Sequence, residues 1–379
     1  MRNLILMIVC LVMLVQCTSV NEKDDRGFLV PFVKNPDVNP CLEPSNELSF
    51  VCPVLNKNVS WEEKDVFNPA CVVKGDTLFL LYRAEDILGK YQGTSRIGLA
   101  YSLDGYHFTK EPKPVLFPEN DDFKIYEWEG GCEDPRLVEG EDGRYYLYYT
   151  AYDGDKARLF VASSVDLRHW TKYGSIFKAA GDKYVNMWSK AGAVVCQQKE
   201  GQLMATKIKG KYWMFWGESN IYMATSENLV DWEPVLETDQ EKMQLDTMRD
   251  YTTAFKILFS TREGKFDSEL VEPGPPAVIT EKGILFIYNS KNSPVYGDKI
   301  LAPGTYAAGQ IILDENDPTR VIDRMEDYFI TPDQPYEITG QVNNVCFVEG
   351  LAYFRNKWLL YYGTADSKIA VAESAKSLK

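Results

Sequence analysis

One segment of the chain recurs, and the recurrence limits what the chain can fold into. Ile97-Gly-Leu-Ala-Tyr-Ser-Leu-Asp-Gly-Tyr-His-Phe108 returns as Leu159-Phe-Val-Ala-Ser-Ser-Val-Asp-Leu-Arg-His-Trp170 and again as Ile221-Tyr-Met-Ala-Thr-Ser-Glu-Asn-Leu-Val-Asp-Trp232. The alanines Ala100, Ala162 and Ala224 are 62 residues apart both times. A shorter copy, Lys368-Ile-Ala-Val-Ala-Glu-Ser374, puts Ala372 148 residues beyond Ala224, which leaves room for one divergent copy between them. Five aromatic, β-prone runs precede these positions: Thr77–Arg83, Arg144–Thr150, Lys211–Trp216, Gly283–Tyr288 and Lys357–Tyr362. Before each lies another strand led by polar or charged residues. Five units of short antiparallel strands predict an all-β chain folded as a five-bladed β-propeller, with residues 28–379 forming one catalytic domain. A β-sandwich would not repeat itself five times. Residues 236–268 lack strand periodicity and read as an inserted, partly helical loop on one face.

The first residues are an address. Met1-Arg2 and the apolar run Leu4–Val15 match a secretory signal and are too short for a comfortable membrane span. Leu14-Val15-Gln16-Cys17 resembles a bacterial lipobox, so residues 1–16 read as a lipoprotein signal peptide with Cys17 as the lipidated residue. Residues 17–27 then form a polar tether. The expected location is the cell envelope, lipid-anchored at the outer membrane on its surface or periplasmic face. The anchor would be the only membrane contact. Of the six later cysteines no two make a C-x-x-C motif; a Cys41–Cys52 disulfide is open to an oxidising compartment, but buried free thiols fit better.

Charge narrows the ligand. Lys+Arg number 41 against 55 Asp+Glu, a net charge of −14, which argues against a nucleic-acid partner. Two histidines, His107 and His169, leave little room for a His-rich metal site, and no cofactor is expected. A neutral polyhydroxylated ligand suits an acidic chain rich in Tyr and Trp.

In a propeller the first strand of each blade lines a central channel, so the five leading clusters should converge. They are Asn68; Glu133 and Asp134; Lys190; Glu272; and Asn343 and Asn344. Asn68-Pro69, Asp134-Pro135 and Pro273–Pro276 each interrupt ladder bonding, and rules of local sequence are expected to fail where function sits. Carboxylates facing one another across a channel equip a protein for glycoside chemistry: one acid protonates the leaving oxygen and a second group delivers the nucleophile.

Gly131-Cys-Glu-Asp-Pro-Arg136 resembles the signature of glycoside hydrolase family 130, the β-mannoside phosphorylases and β-mannosidases. The resemblance extends through Phe67-Asn-Pro-Ala70, Leu81-Tyr-Arg-Ala84, Tyr149-Thr-Ala151, Lys207–Tyr212, Gly274-Pro-Pro276, Ile312–Pro318, Tyr336–Gly340 and Gly363-Thr-Ala-Asp366. It implies a five-bladed propeller acting on a mannose-containing oligosaccharide, with Asp134 as general acid working through the mannose 3-hydroxyl. It also implies that Asn68, Arg83, Arg136 and Asp366 hold the mannose.

Departures from the family pattern separate water from phosphate as nucleophile. Where phosphorylases of the family carry Tyr-His-Gly, this chain has Tyr288-Asn289-Ser290, of which Tyr288 is expected to bind substrate, and Tyr173 stands where a second basic residue is common. Carboxylates appear instead: Glu272 before Gly-Pro-Pro, and Glu218 in Trp216-Gly-Glu-Ser219. Phosphate arrives already nucleophilic, whereas water must be deprotonated. These features favour an inverting, exo-acting β-mannosidase in which Glu272, Glu218 or both act on water. The resemblance points to β-1,2 linkages; the residues do not separate these from β-1,4. A phosphorylase using Arg158 and Lys190 is the alternative, and a non-catalytic glycan-binding lipoprotein is a third reading, against which the retained Asp134 argues.

Overall fold

The computed structural model describes residues 26–247, 249 and 251–378. The signal peptide, Cys17 and all but the last two residues of the tether lie outside them. The described chain is nearly all β, and its helical pieces are single turns of at most four residues. No helix among the described residues is long and apolar enough to cross a membrane.

The strands fall into five successive antiparallel groups. The first runs Asp65–Lys74, Thr77–Glu85, Ser95–Ser102 and Thr109–Lys110. The second runs Gly131–Glu139, Tyr145–Tyr152, Ala157–Ser164 and Thr171–Ser175. The third is Gly192–Lys199, Lys211–Trp216, Asn220–Ser226 and Trp232–Pro234. In the fourth the leading strand is split into Leu270–Pro273 and Ala277–Thr280, followed by Gly283–Lys291, Tyr306–Leu313 and Val321–Arg324. The fifth comprises Cys346–Phe354, Lys357–Thr364 and Lys368–Ser374, and takes its outer strand, Val33–Lys34, from the start of the described chain. Tyr306–Leu313 is the divergent copy that the spacing left room for.

The repeated residues have repeated jobs. Ala100, Ala162, Ala224 and Ala372 are buried opposite Leu80, Leu147, Met214 and Leu360, a small side chain facing a large one each time. At the corner after each of the first three copies, the Oγ of Ser102, Ser164 or Ser226 accepts the N–H of Gly105, Leu167 or Leu229 at 2.9, 2.9 and 3.0 Å. His107 and His169 each bond the aspartate of their own corner, Asp104 and Asp166, so both histidines are exposed corner residues.

The leading strands approach one another at two levels. At one, Val72, Leu137, Pro276 and Leu351 of four groups close with Leu203, on the strand Gln202–Ala205 that pairs with Gly192–Lys199, around a void of only about 10 Å³. At the other, their polar ends surround a larger cavity. The segment 236–256 is irregular and contains no helix among its described residues; Ile257–Ser260 then forms a strand against Asn220–Tyr222. The expectation of a partly helical insertion is therefore corrected. All six described cysteines are free thiols, five of them buried.

Gly131 shows how tightly the first two groups abut. It sits at φ +117°, and a Cβ there would lie 2.2 Å from the backbone oxygen of Ser95. Gly131→Ala is expected to destabilise the fold by about 1–3 kcal/mol, read as a lowered urea midpoint with unchanged slope.

Candidate active site

The polar clusters break the ladders as local bulges. Register slips between Phe67 and Pro69, and between Glu133 and Arg136, because a proline cannot donate to the ladder. Asn68 and Asp134 take φ of +49° and +45° there, a left-handed conformation that Asn and Asp tolerate better than most residues. The bulge turns both side chains toward each other: Asn68 Nδ2 donates to Asp134 Oδ1 at 2.8 Å.

A cavity of about 190 Å³ opens at this level. Asn68, Arg83, Asp134, Lys190, Glu218, Glu272 and Asp366 line it, together with Phe67, Leu270, Tyr306, Gln341, Val345 and Phe347. Seven residues chosen from sequence thus share one wall. Glu133 stands just behind it, 2.9 Å from Arg83.

Four expected residues are placed differently, and the first is Asn343, which is exposed and accepts the Gly340 N–H through its Oδ1. Tyr288 is buried inside the fourth group, donating to Asp267 and stacked near Phe266; its neighbour Asn289 faces the opposite way and bonds Val348. Alternation along the strand therefore takes Tyr288 out of the site. Asn344 is also absent from the cavity wall and serves through its carbonyl, which accepts the Tyr306 N–H at 2.9 Å. Arg136 lies beneath the wall rather than on it. Its guanidinium bonds the carbonyls of Asp134, Pro273 and Gly274 and pairs with buried Glu349 at 2.5 Å. The phosphate candidate Arg158 is likewise off the wall, paired with Asp153.

Four carboxylates and two cations face the cavity, so cations hold it together. Lys190 Nζ stands 3.7 Å from Asp134, 3.6 Å from Glu272 and 4.0 Å from Glu218. Arg83 reaches Asp134 at 3.1 Å and Glu85 at 2.7 Å. The two legs through Lys190 keep the Asp134–Glu272 separation below the roughly 9.5 Å ceiling of an inverting pair, a limit that the roughly 5–5.5 Å of a retaining pair also meets. Among the described residues no group of three or more His, Cys, Asp or Glu side chains is arranged to hold a metal ion.

Burial and charge sort the carboxyls. Burial pushes Glu272 up to about 7 against the pull of Lys190, with Glu218 adding repulsion. Glu133 and Asp366 also rise to about 7, through burial opposed by Arg83 and assisted by Asp134. For Asp134 burial acts upward too, but Arg83, Lys190, Arg136 and the Asn68 bond outweigh it and hold the group below the usual carboxylate range. Burial lowers the Lys190 value, but Glu272, Glu218 and Asp134 lift it well above normal, so the ammonium stays charged. Glu272 Oε1 and Asn68 Oδ1 are buried with no hydrogen-bond partner among the described residues. Such atoms cost about 1–3 kcal/mol each unless a ligand hydroxyl or water meets them.

Sequence reasoning missed Tyr306, which heads a strand with no polar cluster, and also Gln341 and Phe347, although these two flank the fifth cluster, Asn343 and Asn344. It also missed Arg249 and Trp188, which bond Glu218 Oε1 at 2.5 and 2.9 Å. Tyr306 could have been found from its place at the start of the divergent copy; Arg249 lies in an irregular segment with no pattern to mark it.

An all-β scaffold that gathers carboxylates, amides and cations around a ring-sized cavity defines a carbohydrate-active enzyme. The family model described as beta-1,4-mannooligosaccharide phosphorylase matches residues 39–378, and the chain belongs to glycoside hydrolase family 130, enzymes acting on mannosides. It is 30% identical over 321 residues to a 1,2-beta-oligomannan phosphorylase of Thermoanaerobacter sp. (strain X514), covering 82% of this chain and 90% of that one. Its structure resembles a glycosyl hydrolase from Bacteroides ovatus at 42% identity and TM-score 0.85, over 91% of this chain and 94% of the other. A second similar structure belongs to work on family members that are glycoside hydrolases targeting beta-1,2 mannosidic linkages in Candida mannan. It shares 41% identity, with TM-score 0.86 over 93% of this chain and 97% of the other.

Proposed function

We propose that this protein is an inverting, exo-acting β-mannosidase that hydrolyses terminal β-1,2-linked mannosides. The observation that carries the reading is the pair Glu218 and Glu272 on the cavity wall, where a phosphorylase needs uncompensated positive charge. Both cations on that wall are already met by carboxylates, so a phosphate dianion gains little and is repelled by what remains. Glu272 is the base: its carboxyl titrates at about 7, and its Oε1, 3.6 Å from the Lys190 ammonium, has no hydrogen-bond partner among the described residues. Glu218 instead accepts two strong donors and acts as a holder. Asp134 is the acid, passing its proton through a mannose hydroxyl, while Asn68, Arg83 and Asp366 grip the sugar.

The exo mode is supported by shape, since the cavity has room for about one sugar ring and a closed void lies between the leading strands. The five strand groups, with the fifth completed by Val33–Lys34, are read as blades of one propeller around that axis. The β-1,2 preference is supported by the linkages named for the relatives at 30% and 41% identity. Lipidation at Cys17 and an outer-membrane address complete the proposal, testable by palmitate labelling that Cys17→Ser abolishes.

β-1,2-Mannobiose incubated with and without inorganic phosphate tests the reaction. Free mannose, first released as the α-anomer and at a rate indifferent to phosphate, is the expected result. Mannose 1-phosphate formed only when phosphate is present would overturn it.

A further inference from the structure

Glu218 is held in an unusual way. Its Oε1 accepts Arg249 Nη2 at 2.5 Å and Trp188 Nε1 at 2.9 Å, while Lys190 approaches its Oε2 at 4.0 Å. The Arg249 guanidinium also lies over the Trp188 ring, 5.2 Å from its centroid. Two cations and an indole N–H therefore converge on one carboxylate, the donor set that binds a tetrahedral oxyanion.

The segment that delivers Arg249 is anchored. Asp246 accepts from the Arg249 backbone, from Tyr222 at 2.8 Å and from Asn220 at 3.1 Å, and the Tyr251 hydroxyl donates to the Trp188 carbonyl at 2.6 Å. Behind Trp188 and Arg249 lies a second cavity of about 360 Å³. Its charged lining among the described residues is Lys156, Lys183 and Arg249, all positive, in contrast to the acidic sugar cavity in front.

We propose that Arg249, Trp188 and Lys190 form an oxyanion cradle that the protein fills with its own carboxylate, Glu218. Removing that carboxylate would open the cradle to inorganic phosphate or a like oxyanion. The inference rests on the reading above, in which water and not phosphate is the nucleophile, and it gives that choice a physical device. Arg249 is then a positioning residue, holding Glu218 in the cradle.

Phosphate binding, followed by titration calorimetry and phosphorus NMR line width, is the test, since it needs no turnover. The wild type should show no binding at 10 mM inorganic phosphate. Glu218→Ala should bind it with a dissociation constant of a few millimolar or tighter, and adding Arg249→Ala should weaken this at least about tenfold. Glu218→Ser, which keeps a polar group at the strand end, is the second variant should the alanine fail to fold. Absence of phosphate binding in whichever folded variant is used, or binding that survives loss of Arg249, would overturn the cradle. Wild-type protein releasing mannose 1-phosphate would sink the hydrolytic reading, whereas hydrolytic wild type with phosphate-blind Glu218 variants would sink only the cradle.

Discussion

Asp134→Asn is expected to reduce kcat at least about 10³-fold while changing mannoside affinity less than about tenfold. The substitution keeps the size of the side chain and an oxygen for Asn68 and Arg83, but it cannot carry the proton to the leaving oxygen. Asp134 is held below the usual carboxylate range by Arg83, Lys190 and Arg136, with Glu133, Glu272 and Asp366 beside it titrating at about 7. Carboxyls this close titrate as a set, so the proton that Asp134 must deliver is expected to be stored at neutral pH on Glu133, Glu272 or Asp366. The pH dependence carries a sign. Glu272 works only when deprotonated, so kcat/KM should rise with pH through about 7 and fall above it as the stored proton is lost. Glu272→Gln should remove the rising limb together with at least about 10²-fold in rate. A wild-type profile flat from pH 5 to 8 would remove Glu272 as base, and Asp134→Asn retaining a tenth of the wild-type kcat would remove Asp134 as acid.

The parts legible in the sequence were those repeated in phase. Ala100, Ala162, Ala224 and Ala372 marked the same position of four sheets, because a half-turn of the strand alternates faces and only a small residue fits opposite a large one. Asn68-Pro69 and Asp134-Pro135 marked bulges, since proline in a ladder signals that pairing stops there. Tyr288 failed for the same reason that the others succeeded. The motif position was right, but its side chain faces the sheet interior, and it is Asn289 that reaches across to Val348 of the fifth strand group. Arg249 was illegible because a loop delivers its side chain from an irregular segment, and no periodicity encodes where a loop folds back. Glu349 passed unnoticed within Val348-Glu349-Gly350, although a fully buried carboxylate in a strand is as informative as an exposed hydrophobe.

That carboxylate and its partner give the largest expected effect on stability. Arg136→Met should lower unfolding free energy by about 3–5 kcal/mol. Arg136 and Glu349 are both fully buried, and the guanidinium donates to carbonyls of the second and fourth strand groups while pairing with the fifth. Methionine fills the volume but leaves three carbonyls and a carboxyl without a donor. Burial already pushes Glu349 well above the ordinary glutamate range despite Arg136. The folded state therefore binds this proton more tightly than the unfolded chain, and stability falls as pH rises past the ordinary glutamate value. Loss of Arg136 raises the Glu349 value further, so between pH 5 and 8 the deficit of the variant should not shrink, and it should widen once pH passes the wild-type Glu349 value. Arg136→Met combined with Glu349→Leu should recover much of the loss and flatten that dependence, because the uncompensated charge is gone. Urea unfolding of the four proteins at both pH values decides the matter: an additive double variant would mean that the pair is not coupled, and that the carbonyl bonds alone hold the three strand groups together beneath Asp134 and Glu272.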